Sequence, residues 1–222
     1  MATRGSRSTR PRVRGRPAGP TADLRARLLD TAIALFARHG IAATPLTAIA
    51  AKARVAPALL HYYFGSRAKL IDAVVEERLA PLFEGVAARL AAADAGPAAL
   101  IGGFVRGVFA IIDANPWLPA LWVREVLTDG GQLRARLIGR FAPQVALRLR
   151  DLAATAQRRG ELNRDLDPRL LAVSLVGLTV FAHVGAPIWR PLFSADDVTP
   201  DVLTRHVLAL LARGLELPHA LD

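Results

Sequence analysis

Apolar residues recur with helical spacing near the start of the chain and predict a first amphipathic helix. The positions that follow the i, i+3, i+4, i+7 pattern are Leu29, Ala32, Ile33 and Phe36. The pattern begins after Asp23 and stops at His39 and Gly40, a cation and a glycine typical of a helix C-terminus. We therefore predict a helix over residues 23–39.

Prolines predict where the next two helices begin. Thr44 followed by Pro45 fits an N-cap and a first helical residue, where the missing amide donor of proline costs nothing. This second helix should run to about Ala53. After a break of three residues, a third helix is predicted over 57–64, again with proline first.

The second and third helices have the features of a helix-turn-helix. Ile49, Val55 and Leu60 are apolar at the spacing that lets two short helices pack across a short turn. Ala50 is small at the point where the two backbones approach each other. The outer face of the third helix would then be free to enter a DNA major groove.

The rest of the chain reads as one helix after another. Ser66 is expected to cap a long helix from Arg67 towards Ala93, which Pro81 should kink or split. Beyond Pro97 the boundaries are marked by glycine, asparagine and proline turns, and no segment alternates as a strand would. The prediction is an all-α fold of about nine helices.

The positive charge is concentrated at the N-terminal end. The chain has 222 residues and a net charge of +10. The first 70 residues hold 13 of its 29 Lys and Arg residues but only two of its 19 Asp and Glu residues. Six arginines lie in residues 1–20, which contain no acid and too little apolar surface to fold, so a disordered basic arm is expected. Such a charge distribution favours a polyanion partner.

Composition argues against several other classes of protein. The absence of cysteine excludes disulfides, thiolate metal sites and cysteine catalysis. The five histidines show no metal-binding spacing, and no phosphate loop or nucleophile elbow is present, so no enzyme activity, cofactor or metal is expected. Residues 1–20 lack the apolar run of a signal peptide, which favours the cytoplasm.

The segments LLDTAIALFARHG and IAATPLTAIAAKARVAPALLHYYFGSRAKL resemble the N-terminal domain of the TetR family of bacterial transcriptional regulators. The resemblance is close over residues 24–75. It implies a DNA-binding domain over 21–70 and a helical effector-binding and dimerisation domain over 71–222, behind the arm over 1–20.

The same resemblance implies two groups of DNA contacts. Backbone-positioning residues would be Thr44, Thr47, Tyr63 and Arg67. Residues facing base edges would be Pro57, Ala58, Leu59 and Tyr62, and the alanine and leucine would contact thymine methyl groups. Thr44 could instead only cap its helix, and Tyr63 could equally pack on the first helix.

Two departures from the family pattern affect the expected DNA contacts. Arg54 stands where the family has a glycine in the turn, and a non-glycine residue in a left-handed turn costs about 1 kcal/mol. Either the turn differs, or contact between Arg54 and DNA offsets the strain. His61 replaces a tyrosine and can still donate to a phosphate.

Residues 170–189 carry no charge and are long enough to span a bilayer. Arginines flank both ends and give no orientation bias, so a helix buried by its own domain and a partner subunit fits better than a membrane anchor. An apolar stripe follows over 202–215. By resemblance, a homodimer is expected through residues of about 168–190 and 200–215.

The resemblance also implies that helices between residues 97 and 160 enclose a small-molecule effector. The candidate lining residues are Phe104, Val108, Trp117, Trp122 and Phe141. Glu125 shares a face with apolar neighbours, and a buried carboxylate needs a partner. An arginine is the expected partner, and a group on the effector is the alternative.

These observations predict a repressor that binds a double-stranded DNA operator and is released by an effector. Two alternatives stay open on the sequence alone. One is a nucleoid-associated or protein-binding scaffold with the same fold and no inducer. The other is a membrane-anchored helical protein.

Overall fold

The computed structural model describes residues 20–91 and 96–216, and within these ranges the chain is helical with no strand. The predicted arm lies outside the described residues, apart from Pro20. The helices are α1 (Pro20–His39), α2 (Leu46–Ala53), α3 (Pro57–Phe64), α4 (Arg67–Val74), α5 (Ala80–Ala91), α6 (Pro97–Ala114), α7 (Leu118–Trp122), α8 (Arg134–Ile138), α9 (Ala142–Arg159), α10 (Leu171–Val176), α11 (Ala182–Val184), α12 (Ala186–Leu192) and α13 (Pro200–Glu216). Three π-helical turns occur, at Val75–Leu79, Val123–Leu127 and Gly177–Phe181.

The all-α prediction is confirmed. If helices joined through a π-helical turn are counted as one, the described part of the chain forms eleven helices, against about nine predicted. The third helix has the predicted bounds, the second begins at Leu46, one residue later than predicted, and the first begins at Pro20, three residues earlier than predicted. Short helices such as α8 and α12 account for the difference in number, because five to seven residues give too little periodicity to detect.

The prediction that Thr44 caps α2 is wrong. The N-cap residue of α2 is Pro45, and no side chain caps it. The Thr44 hydroxyl instead donates to the carbonyl oxygen of Gly40 at 2.7 Å, just beyond the end of α1. Thr44 thus satisfies a carbonyl that follows α1 rather than an amide that begins α2.

Pro81 does not split its helix, because the chain is helical without a break from Arg67 to Ala91. Ser66 caps α4 as predicted, since its Oγ accepts from the Lys69 amide at 3.3 Å. Pro81 has no amide hydrogen and its ring would collide with the carbonyl four residues earlier. The preceding turn widens into the π-helical turn Val75–Leu79, and the helix then continues to Ala91.

The uncharged run over 170–189 is bent. The segments Leu171–Val184 and Ala186–Leu192 meet at 68° around Gly185, because the ring of Pro187 excludes a straight continuation. Within the described ranges, α6 alone is long and apolar enough to cross a membrane, and the bent pair passes the same test only as one broken span. The apolar composition of α6 is accounted for by the core, where Phe104 and Phe109 are buried.

Two apolar clusters hold the fold together. The first contains the inner faces of α1 to α4. It also contains Leu121, Val126 and Leu133 from the part of the chain that follows position 70, which is called the body. The second joins α5, α6, α9, α10 and α13 around residues such as Phe109 and Leu149. Because α1 packs directly on α7, residues before and after position 71 share one core. Movement in the α7 region is therefore mechanically connected to α1.

Candidate nucleic-acid interface and apolar cavity

Helices α2 and α3 pack through the small apolar face that the sequence predicts. Ile49 and Ala50 of α2 and Leu60 of α3 are fully buried, and Val55 in the turn is half-buried against them. Phe64 closes the far end of α3 against the same core. The opposite face of α3 is left in solvent, which is the arrangement that a groove-reading helix requires.

The turn between these helices is a Schellman motif with arginine at the position that usually carries glycine. The Arg54 amide donates to the Ala51 carbonyl at 3.1 Å, and the Val55 amide donates to the Ala50 carbonyl at 3.0 Å. This geometry places Arg54 at φ 58° and ψ 48°, in the left-handed region. Of the two alternatives that the sequence leaves open, the structure thus has the left-handed turn, and the Arg54 side chain is exposed.

The end of α9 shows the same motif with its usual residue. Gly160, at φ +74°, donates to the Gln157 carbonyl at 3.1 Å, and Glu161 donates to the Ala156 carbonyl at 2.9 Å. Glycine reaches this conformation without a steric penalty from a Cβ. The two turns thus share one hydrogen-bond pattern, and only the turn before α3 places a side chain in the left-handed position.

The residues expected to face base edges lie mostly on the solvent side of α3. Pro57 and Ala58 are exposed, and Leu59 is half-buried. Tyr62 is 81% exposed, the largest exposed fraction among the large apolar side chains of the described chain. Its ring stands edge-on to that of Tyr63, with centroids 5.4 Å apart.

The residues expected to contact phosphates fall into two groups. Thr47 and His61 are exposed, and His61 Nδ1 lies 3.1 Å from the Gly65 carbonyl. Tyr63 is half-buried against the first core, so one part of its ring packs while the rest faces solvent. Thr44 is 2% exposed with its hydroxyl engaged, which leaves it no free group for DNA.

Arg67 is half-buried and occupied by the backbone. Its Nη2 donates to the Ile41 carbonyl and, at 3.2 Å, to the Ala42 carbonyl. Its Nε is buried without a hydrogen-bond partner among the described residues. The guanidinium therefore fixes the α1–α2 connection before it can contact a phosphate.

No aspartate or glutamate occurs between Asp30 and Asp72. The exposed cations of that stretch are Arg38, Lys52, Arg54 and Lys69. The acids that follow are paired: Asp72 accepts from Arg136 at 2.8 Å, and Glu76 pairs with Arg140. The acid-free face of α2 and α3 thus keeps its positive potential, as phosphate binding requires.

A separate cavity of about 190 Å³ lies in the body, enclosed by residues of α5 to α10. Every residue that lines it is apolar, and Phe83 stacks on Phe141 at 5.4 Å and lies 5.9 Å from the Trp122 ring. A second cavity, of about 210 Å³, lies between α6 and α13 and is bordered by the charged side chains of Arg106 and Glu161. None of the predicted effector residues lines the second cavity.

The structure separates the predicted effector residues. Phe104, Val108, Trp122 and Phe141 line the apolar cavity. Trp117 does not line it but packs against the first core. The cavity is also lined by residues of α5 and α10, such as Phe83 and Val176. The sequence-based prediction omitted them because the resemblance implied an effector site between residues 97 and 160.

Glu125 is also absent from the cavity wall. The prediction that an arginine pairs with its carboxylate is wrong. Its carboxylate is buried and accepts from two backbone amides, those of Ile41 at 2.7 Å and Gln132 at 3.0 Å. Backbone donors carry no sequence signature, so residue types could not have revealed this pairing.

An exposed helix behind a short turn, an acid-free face around it and a helical body with an apolar cavity define a ligand-responsive class of helix-turn-helix DNA-binding proteins. Residues 28–74 match the model of bacterial regulatory proteins of the tetR family. Residues 97–211, more than half of the chain, match the tetracyclin repressor-like C-terminal domain. The chain belongs to the TetR family of transcriptional regulators.

Relatives and solved structures agree with this assignment. The chain is 25% identical over 195 residues to the HTH-type transcriptional repressor KstR2 of Rhodococcus jostii (strain RHA1), covering 88% of this chain and 92% of that protein. It shares the fold of the ketosteroid regulator KstR2 of Mycobacterium tuberculosis (TM-score 0.70, 21% identity, 87% and 95% coverage). It also shares the fold of FadR from Bacillus subtilis in complex with stearoyl-CoA (TM-score 0.64, 18% identity, 85% and 98% coverage).

Proposed function

We propose that this protein is a cytoplasmic, homodimeric repressor that leaves its operator when a largely hydrocarbon effector enters the apolar cavity. The observation that carries the DNA-binding part is the acid-free, cation-bearing face of α2 and α3. The observation that carries the effector part is the wholly apolar lining of the cavity. The role is regulatory and needs no chemical change of the effector.

The DNA contacts divide between charge and shape. Lys52, Arg54 and Lys69 are exposed and would neutralise phosphates on either side of the groove. Pro57, Ala58 and Tyr62 project from α3 and would meet base edges through apolar contact. Thr44 is left out of this proposal because it is buried, and Arg67 is assigned to the α1–α2 connection.

The effector class follows from the lack of hydrogen-bonding side chains in the cavity wall. An apolar wall stabilises hydrocarbon in proportion to the area removed from water and leaves a buried hydroxyl or charge unpaired. The polar end of an effector must therefore stay at the mouth. The names of the relatives support this class, since a ketosteroid and a stearoyl chain are both mostly hydrocarbon.

A second copy of the chain is proposed to cover an exposed apolar surface on α10 to α13. The exposed side chains there are Leu170, Val173, Phe181, Ile188, Leu192, Phe193, Val202 and Leu210. Several are more than two-thirds exposed, including Phe181 at 73% and Ile188 at 74%. Large apolar side chains exposed on consecutive helices are typical of an association surface. A dimer would also carry two copies of α3, as a palindromic DNA site requires.

The test begins by selecting DNA from a random pool with the full chain. We expect one short palindrome to be enriched, and equal binding to all sequences would contradict the repressor and favour a nucleoid-associated protein. The enriched DNA is then titrated with 1-decanol and, as a matched control, with 1,10-decanediol. Decanol should release the DNA, whereas the diol should act much more weakly because its second hydroxyl would be buried without a partner.

The cavity can be tested separately from the probe. Val108→Asp places an unpaired carboxylate in the wall and should abolish the response to decanol while DNA binding persists. Release of DNA by decanol from the Val108→Asp variant would show that decanol acts elsewhere. Mass measurement in detergent-free buffer tests the dimer, and a monomer at micromolar concentration would contradict it.

A further inference from the structure

Glu125 joins the body to the DNA-binding helices through one buried carboxylate. It lies in the π-helical turn Val123–Leu127 and is 4% exposed. Its Oε1 accepts from the Ile41 amide at 2.7 Å, 84 residues away in sequence. Its Oε2 accepts from the Gln132 amide at 3.0 Å, so each carboxylate oxygen is committed to a backbone amide.

The backbone of Ile41 is held by hydrogen bonds at both its amide and its carbonyl group. Its amide hydrogen goes to Glu125 of the body, and its carbonyl oxygen accepts from Arg67 Nη2 at the start of α4. Gly40, at φ +85°, allows the close approach, because a Cβ there would lie 3.2 Å from the Glu125 Oε1. The Ile41 side chain is itself fully buried. The connection between α1 and α2 is therefore fixed by hydrogen bonds as well as by packing.

Glu125 is equally fixed on the body side. The Arg134 guanidinium donates to the carbonyls of Val126 at 2.7 Å and Leu127 at 2.6 Å, at the end of the π-helical turn. Gly131 lies so close that a Cβ on it would be 2.3 Å from the Glu125 carbonyl oxygen. The carboxylate thus belongs to a tightly built loop that cannot shift without moving its helix.

A residue that lines the cavity lies three positions before Glu125 in the sequence. Trp122, at the end of α7, lines the cavity, and α7 runs directly into the turn that carries the carboxylate. Breaking either amide contact would leave a buried polar group without a partner, which is costly. The α1–α2 connection therefore follows α7 when α7 moves.

We propose that Glu125 is a positioning residue that sets the orientation of the helix-turn-helix relative to the body and couples it to the cavity. The coupling to an effector rests on the proposed function, whereas the positioning role does not. A purely stabilising role would change the fraction of folded protein. It would not change how folded dimers discriminate between DNA sites.

Half-site spacing gives a readout that distinguishes these two roles. The operator selected by the wild-type chain is compared with versions whose half-sites are one base pair closer or further apart. A rigid orientation of the two α3 helices should make wild-type binding fall at least tenfold on either altered spacing. In Glu125→Gln one backbone amide faces the NH₂ group of the new side chain, so that hydrogen bond is lost. We expect spacing discrimination to drop at least threefold.

The matched control is Glu161→Gln, the same chemical change on an exposed residue. It should keep the wild-type spacing preference and decanol response. Glu125→Gln should keep wild-type affinity for random DNA while its loss of operator affinity on adding 1-decanol becomes smaller. An unchanged spacing preference in folded Glu125→Gln would overturn the proposal. Selection of no operator by the wild-type chain would instead overturn the proposed function.

Amide hydrogen exchange of the wild-type chain tests the hydrogen bond between the Ile41 amide and Glu125 even if the variant does not fold. The Ile41 amide should exchange as slowly as amides in the core of α1, and it should stay equally slow with 1-decanol, because the hydrogen bond to Glu125 is kept while α7 moves. Exchange of the Ile41 amide at the rate of an exposed loop would overturn the positioning role of Glu125, whether or not an operator is found.

Discussion

Replacing Arg54 by glycine tests both the strain in the helix-turn-helix turn and the use of the arginine in DNA binding. The left-handed conformation of a non-glycine residue costs about 1–2 kcal/mol, and glycine avoids this cost. Glycine also gives the unfolded chain more freedom, which removes about 0.4–1 kcal/mol of the gain. Arg54→Gly should therefore raise the free energy of unfolding by about 0 to 1.6 kcal/mol, with a central value near 1 kcal/mol.

In a chain of this size, 1 kcal/mol corresponds to an increase in Tm of about 2–4 °C. Thermal and urea unfolding of the free protein measure the change. Ser194→Gly is the matched control, because Ser194 is an exposed non-glycine residue at φ 48°, in the connection before α13 and outside the proposed DNA surface. The two substitutions relieve the same kind of strain and should stabilise by similar amounts.

The variants should differ in DNA binding. If each Arg54 neutralises one phosphate, Arg54→Gly lowers the slope of log K against log salt by about 0.9 per protomer, and Ser194→Gly leaves it unchanged. Lower stability of Arg54→Gly, with Ser194→Gly stabilised, would refute the strain argument at the turn. A more stable Arg54→Gly with unchanged affinity and salt slope would show that the arginine does not contact DNA.

Three further predictions concern other parts of the chain. Gly131→Ala should destabilise the protein by more than 1 kcal/mol in urea unfolding, since its Cβ would overlap the Glu125 backbone, whereas Gly103→Ala in open space on α6 should stabilise it by about 0.5–1 kcal/mol. Deleting residues 1–19 should weaken binding to all DNA sequences and reduce its salt dependence, and an unchanged salt slope would contradict a role for the arm in affinity. Val145→Asp should abolish quenching of tryptophan fluorescence by brominated decanol, because the carboxylate would be unpaired in the cavity wall; quenching equal to that of the wild type would contradict the cavity assignment.

The sequence predicts the elements near the N-terminus well because their signals are local. The Thr44–Pro45 step, Pro57 and Gly65 delimit α2 and α3 to within one residue of the prediction, and the family resemblance adds the role of the exposed face. The cap assigned to Thr44 failed because a hydroxyl can serve the helix before it as easily as the helix after it.

The body shows where sequence reasoning ends. Pro81 predicts a break, yet a π-helical turn absorbs it, and this choice depends on packing on both sides of the helix. Four of the aromatic and apolar candidates line the cavity. Trp117 and Trp122 both pack against the first core, and the apolar pattern could not show that only Trp122 also reaches the cavity. One of the two backbone amides that bind Glu125 is 84 residues away in sequence, and only the folded chain brings it close.

The pairing of Asp72 on α4 and Glu76 in the π-helical turn after it also has a kinetic consequence. Because Asp72 and Glu76 are matched by arginines of the body, the positive charge of α2 and α3 has no nearby counterweight, and the protomer carries an uneven charge distribution. A duplex would exert a torque on such a molecule before contact and turn the α3 face towards it. Association should then be fast at low ionic strength and slow steeply as salt screens the field over about one Debye length, near 10 Å at 0.1 M. The arrangement of ion pairs that steadies α4 thus also governs how often an encounter with DNA is productive.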